Sequence, residues 1–432
     1  MRWTTAAVAV LAAAAALVGG VNSGAAEAAA PSVRTQHVEY FPGPRAEPRQ
    51  VTVPASALDR TARPAPGLTG TIPAVTALQR TGPVSGRLDL VVMGDGYTAD
   101  EQGEFAADAE AKLDAIFGVE PYRSYRGLFN VWLVNAVSHE SGVSGDPAAD
   151  VVKDTALGSS FFCDGIERLL CVDTDEVAQY AGLAPDADIV FVIAHSAKYG
   201  GAGYSAADLP SGSTFHGVAT MSSDNDRSYL IGAHELGHSI GHLADEYQYA
   251  GYGTYPSAEE PATANLTLHR DLGTTKWYRW LGAQDPTGSV VGTYEGGGYY
   301  EAGVYRPTET SLMRSLASTE FNVVGRETMI AGFYADADAL TSSLPTSRPI
   351  GQKRRITVCL APLTGLADPE LTWYVDGRQV PSATGDLSVT PHQLGVRGHG
   401  HKVTATVTDD TTAIRDPAVR AEATTSLTWT VR

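Results

Sequence analysis

A mixed α/β domain followed by a small all-β unit is the fold the sequence predicts, on three observations. Continuous apolar runs of strand length alternate with segments of helical period through most of the chain; a buried-looking helix carrying two histidines sits near its middle; and beyond Pro345 the texture changes to short runs of period two. At 432 residues the chain is long enough for two or three units with a large core.

The chain opens with Met1-Arg2-Trp3, an Ala/Val/Leu run over 5–19, and small residues ending at Ala28-Ala29-Ala30-Pro31. The run is shorter than the ~20 apolar residues a spanning helix needs, so residues 1–30 read as an export signal and the mature protein as secreted, extracellular and without a membrane span. Residues 31–85 are rich in Pro, Thr, Ala and Arg, with one alternating segment at Gln50-Val51-Thr52-Val53, which predicts an N-terminal arm or small β segment.

Residues 86–340 carry the globular pattern. Leu88 to Met93 reads as a buried strand, and Phe105, Ala109, Leu113, Ile116 and Phe117 recur at helical steps over 99–117. Asn130–Val134 and Asp188–Ile193 are further strands, with a short helix near Asp175 to Tyr180 between them. Gly217–Met221 reads as an edge strand, and a helix runs from Ser228 to about Gly241. Residues 341–350 form a linker. Over 351–432, Ile356/Val358/Leu360, Leu371/Trp373/Val375, Val403/Ala405/Val407 and Leu427/Trp429/Val431 alternate with polar residues between Gly, Pro and Asp turns. That pattern predicts an immunoglobulin-like β-sandwich.

The formal charge of −18, with Lys and Arg scattered, excludes nucleic acid and anionic membrane as partners. Export permits a disulfide, and Cys163 and Cys171 are the pair close enough to pin one loop, leaving Cys359 outward on a strand. Neither belongs to a C-x-x-C spacing, so a thiolate metal site is not expected.

The chemistry concentrates in His234-Glu235-Leu236-Gly237-His238. Residues four apart on a helix share a face at about 6 Å axial spacing, so both imidazoles reach one ion. Glu235, about 100° around the helix, meets a water at that ion and serves as general base. This is the ligand pair of a catalytic zinc, which takes three protein ligands and keeps its fourth position for water. His242, Asp245, Glu246, Glu259 and Glu260 are candidates for the third ligand. A continued helix would carry His242 about 12 Å beyond His234. Gly241 offers a left-handed exit that returns a later residue, and Asp245 fits that path best. Pro256 and Pro261 bracket Glu259-Glu260 and leave no helix to present them.

The run from His234 to Tyr247 resembles the immunoglobulin A peptidase family, a metzincin-like group of zinc metallopeptidases. The commoner metzincin spacing would put the third ligand at Ala244; here the aspartate stands one position later. Val91 to Thr98, Glu120-Pro121-Tyr122, Phe129-Asn130-Val131, Ser138 to Val143, Gly303 to Glu309, Ser311 to Arg314 and Phe321-Asn322 carry the same resemblance over roughly 86–335. It implies zinc on His234, His238 and Asp245, protein or peptide substrates, and Met313 as a packing residue under the metal site. Tyr305 would stabilise an oxyanion or hold a structural hydrogen bond. Asp95-Gly96-Tyr97 would cap the following helix or hold a structural calcium, the cap being preferred. A second reading, a secreted adhesion or glycan-binding protein on a peptidase-like scaffold, predicts loss of a ligand or of the base, and both are present. Oligomeric state leaves no mark in the sequence.

Overall fold

The computed structural model describes residues 35–54, 74–206, 209–271 and 273–432; the export signal lies outside them. Eight strands form one mixed sheet: β1 (Thr35–Tyr40), β2 (Arg49–Pro54), β3 (Val75–Gln79), β4 (Leu88–Asp95), β5 (Phe129–Val134), β6 (Ile189–Ala194), β7 (Gly201–Ser205) and β8 (Gly217–Ser222). Their spatial order is β2-β1-β7-β8-β6-β4-β5-β3. The inner strands β8, β6, β4 and β5 are parallel and buried at every position, which is why they read as unbroken apolar runs. β8 is an interior strand and not the edge expected from its short, glycine-led sequence, because β7 returns antiparallel along its free side. Strands from the 31–85 stretch extend the sheet at both ends.

Helices cover both faces. On one lie α1 (Gln102–Ile116), the single turn α2 (Tyr122–Tyr125), a helix carrying the two histidines, and α5 (Val323–Asp336), all packed on Leu90, Val92 and Phe191. On the other, α3 (Thr174–Ala181) and the loop closed by the Cys163–Cys171 disulfide cover Val91, Met93 and Val192. The histidine helix, α4 (Tyr229–Ser239), crosses β8 and β7 and leans on α1. Lys112 of α1 donates to Ser228 Oγ at 2.9 Å, and Tyr122 Oη donates to the Ala233 carbonyl at 2.8 Å. α4 therefore enters and runs in a register set by its neighbours.

Asp95 does not cap the following helix. Its carboxylate accepts from Ser138 Oγ, Thr155 Oγ1, Leu157 N and Ser159 N, tying down the loop after β5, and Thr98 with Glu101 makes the capping box instead. Four donors on two oxygens occupy the carboxylate that a calcium would need.

The C-terminal region forms a four-stranded antiparallel sheet (369–375, 378–379, 402–409, 424–430) with smaller strand pairs beside it. Trp373 and Trp429 stack at 6.2 Å between centroids in its interior, and Cys359 is exposed. The junction with the rest of the chain is polar at its centre. Buried Asp409 accepts from Tyr125 Oη (2.6 Å), Tyr334 Oη (2.9 Å) and Asp368 N (2.7 Å). Asp409→Ala strands these donors, so urea titration is expected to give a loss of about 3 kcal/mol, against about 1 kcal/mol for either tyrosine changed to Phe.

A pH effect follows from β6. Burial pushes the half-buried Asp188 carboxyl up to about 6, with Asp186 and Asp89 adding and the hydrogen bond from Asp89 N opposing. A raised folded-state value stabilises most below the unfolded value near 3.8 and loses that contribution as pH rises through about 6. Relative to Asp188→Asn, wild type should therefore lose stability between pH 4 and 6 in parallel denaturation curves.

Candidate functional site

α4 is apolar around most of its surface because it is buried on nearly every side, and its two glycines are spacers. A Cβ on Gly237 would stand 2.8 Å from Met313 Sδ, and one on Gly232 would stand 2.6 Å from Met221 Cε. Met313 thus packs directly against the helix at Gly237, the residue before His238.

Each imidazole is oriented by its far nitrogen. His234 Nδ1 bonds the Leu312 carbonyl at 3.0 Å and His238 Nδ1 bonds the Leu243 carbonyl at 2.7 Å. Both Nδ1 atoms then carry a proton, which leaves the two Nε2 atoms facing inward, 3.0 Å apart. Two nitrogens at that distance need a shared proton or a cation between them.

The turn after α4 supplies the next group. The left-handed residue is His242 (φ 47°), not Gly241. Gly241 is required for space, since a Cβ there would meet Gly237 O and Met329 Cγ, each at 2.7 Å. The turn closes with Leu243 N donating to Gly237 O, which sets the carbonyl that holds His238. It then returns Asp245, whose Oδ1 is 3.3 Å from both Nε2 atoms. Asp245 Oδ2 accepts from Tyr299 Oη at 2.8 Å, whereas Oδ1 is buried without a hydrogen-bond partner among the described residues. A fourth group arrives from β1. Glu39 Oε1 lies 3.3 Å from His234 Nε2 and Oε2 lies 3.5 Å from His238 Nε2. Ligand atoms of Glu39, His234, His238 and Asp245 all fall within 4.8 Å of one another, which suits a divalent cation.

Glu235 lines the same cleft, of about 440 Å³, together with Gly203, Tyr204, His238, His242 and Tyr299. Its Oε1 is likewise buried and unpartnered among the described residues. Burial pushes its carboxyl up to about 8, with the Glu39 and Asp245 charges adding and the histidines opposing. Burial pushes the His234 imidazole down, but Glu39 and Asp245 overcome this and raise it to about 10; His238 is raised well above its usual value in the same way. Burial pushes Asp245 up, and the two imidazoles more than reverse it, holding it below the carboxylate range. The cluster is thus built to hold positive charge.

The other candidates go elsewhere. His242 is exposed at the mouth of the cleft. Glu246 turns away and is held by Ser311 Oγ (2.6 Å), Asn265 Nδ2 (3.1 Å) and Asn322 Nδ2 (3.0 Å), locking the turn to the Leu312–Met313 segment. Glu259 is exposed, and Glu260 faces Lys276 and His269. Tyr305 does not line the cleft; it lies in a β-hairpin, β9 (Tyr294–Gly297) and β10 (Tyr300–Arg306), with Arg270 over its ring. The tyrosine bonded to Asp245 is Tyr299, in the turn of that hairpin at φ 76°. Glu39 and Tyr299 were not legible, since neither stands at a metal-ligand spacing from the His-Glu-x-x-His helix.

A family model described as IgA Peptidase M64 matches residues 76–289 and 283–333. The chain belongs to the IgA peptidase M64 family. The matched part contains α4, the turn to Asp245, Tyr299 and Met313; Glu39 precedes it. No curated protein matches the chain. M64 membership makes the chain a peptidase, and protein or peptide its substrate class.

Gly203 of β7 is the position on which the cleft's shape turns. A Cβ there would stand 2.1 Å from the carboxylate carbon and both oxygens of Glu235. Gly203→Ala can be accommodated only by moving that carboxylate, and a misplacement of about 1 Å costs on the order of 10²-fold. The M64 peptidase carrying this change is expected to keep its melting temperature within a few degrees, while kcat falls about a hundredfold in steady-state assays.

Proposed function

We propose that this M64 peptidase is a secreted zinc-dependent endopeptidase in which His234, His238 and Asp245 hold the metal and Glu235 is the general base. The observation that carries this reading is the convergence of two imidazole Nε2 atoms and a partnerless aspartate oxygen beside a second buried carboxylate. Two nitrogens and one oxygen are a donor set suited to a catalytic zinc. When bound, zinc supplies a Lewis acid that acidifies a water and polarises the scissile carbonyl.

The chain's own residues do the rest. Leu312 O and Leu243 O keep both imidazoles in the tautomer that binds metal, and Tyr299 fixes Asp245 through its other oxygen. Glu235 takes a proton from the attacking water and delivers it to the departing amine nitrogen. The fold around this site is of the metzincin kind, with Met313 as the packing residue beneath the metal.

The domain scheme is part of the proposal: export signal 1–30, N-terminal β segment 31–85, catalytic domain 86–340, linker 341–350 and an immunoglobulin-like sandwich 351–432. The alternating burial of the C-terminal strands around Trp373 and Trp429 supports the last.

Metal analysis should find about one zinc per chain. Glu235→Ala is expected to retain that zinc and abolish cleavage of a denatured protein. Asp245→Ala should weaken zinc binding by at least about tenfold in chelator competition, and His242→Ala should leave it unchanged. A Glu235→Ala protein that cleaves like wild type, or a His242→Ala protein that alone loses zinc, would refute the assignment.

A further inference from the structure

We propose that Glu39 fills the metal position that water must occupy, and that strand β1 lies on the sheet edge an extended substrate needs, so that the full chain is held latent. This rests on the zinc-peptidase reading above.

Two independent observations converge on the same residue. The first is the carboxylate itself. Glu39 is only 4 % exposed, and its two oxygens lie 3.3 Å and 3.5 Å from the two imidazole nitrogens, in one cluster with Asp245. It is held there: Tyr247 Oη donates to Oε1 at 3.2 Å and Gln50 Nε2 to Oε2 at 3.1 Å. With His234, His238 and Asp245 in place, a fourth protein ligand closes a tetrahedral site, and closed sites are structural, whereas catalytic ones keep a position for water. Glu235 would then have no water to deprotonate.

The second observation is the strand. β1 pairs antiparallel with β7 through Val38↔Tyr204, Glu39↔Gly203 and Tyr40↔Ala202. Gly203 is the residue against which the Glu235 carboxylate lies, so β1 covers the edge of β7 at the level of the catalytic groups. Adding a strand to such an edge is a general way for a protein to hold an extended peptide, with main-chain hydrogen bonds supplying affinity. A substrate using that edge has to displace β1.

The attachment is suited to release. β1 meets β7 over three residue pairs, while β7 keeps five pairs with β8 and remains in the sheet without it. The family-matched part begins at residue 76 and holds the other three ligands and the base; the β1–β2 hairpin lies before it. Slow cleavage by the full chain then reflects transient departure of β1, and removal or displacement of the hairpin releases full activity.

The test uses the full chain loaded with cobalt(II), as wild type, Glu39→Gln and Glu39→Ala, with acetohydroxamate as a probe of an open metal position. Glu39→Gln keeps the size of the side chain and one of its two accepted hydrogen bonds, which guards against simple misfolding. All three proteins are expected to hold one metal per chain. Acetohydroxamate should change the visible cobalt spectrum of both variants at a concentration at least tenfold below that needed for wild type. Cleavage of a denatured protein should rise at least tenfold. Wild type binding the probe as tightly as the variants would overturn the proposal, as would loss of metal from both variants, which would make Glu39 a permanent ligand. If none of the three proteins holds metal, the zinc-peptidase reading fails and takes this one with it. If the probe discriminates as expected but no protein cleaves, Glu39's place at the metal stands and the endopeptidase reading falls.

Discussion

Two imidazole nitrogens 3.0 Å apart, facing two buried carboxylates, are the constraint around which this molecule is arranged. The carboxylates demand positive charge at that point, which protonated imidazoles or a bound cation can supply. Holding such a cluster empty of countercharge in a packed interior is costly, so every surrounding element has to restrain it. The Leu312 and Leu243 carbonyls hold the rings, Tyr299 holds Asp245, and Met313 supports the helix from below. The M64 peptidase thus carries a buried charged cluster that suits a divalent cation.

The sheet makes this affordable. Its parallel inner strands are buried on both faces and give α4 a rigid floor, while α1 and α2 fix the helix through Lys112 and Tyr122. The turn beyond α4 is equally constrained. Glu246, held by three donors, joins it to the Leu312–Met313 segment and to the start of α5, where Asn322 both caps the helix and donates to Glu246. Glu246, a candidate ligand by its position in the sequence, therefore acts as the brace that holds its neighbour Asp245 in the cluster. The placement of the cluster comes from second contacts as much as from its own residues.

The C-terminal region is tied to this frame through a polar anchor as well as through packing. Asp409 gathers Tyr125 from α2 and Tyr334 from α5, two elements that also border the histidine helix. Arg415 lies over the Trp280 ring, 3.9 Å from its centroid, while the Arg415 amide donates to Glu327 of α5. The C-terminal region, which carries a short helix over 417–422 beside its strands, is thus fastened to the helices that hold α4.

The sequence by itself determined whatever depends on near neighbours. Helical spacing placed His234, Glu235 and His238; the parallel core strands showed as apolar runs; period-two alternation marked the C-terminal strands; and the short separation of Cys163 and Cys171 marked their disulfide. Asp245 was within reach because only a turn separates it from the helix, though the left-handed residue proved to be His242 and not Gly241. Only the tertiary structure decided what depends on distant partners. Glu39 joins the cluster because β1 pairs with β7, Tyr299 because a glycine-led hairpin folds back over Asp245, and Gly203 leaves room for Glu235 because two strands and a helix meet there. β8 likewise became interior only once β7 had paired beside it. Local periodicity records which face of an element is buried; it carries no record of which remote element buries it, and Glu39, the fourth group of this cluster, comes from such an element.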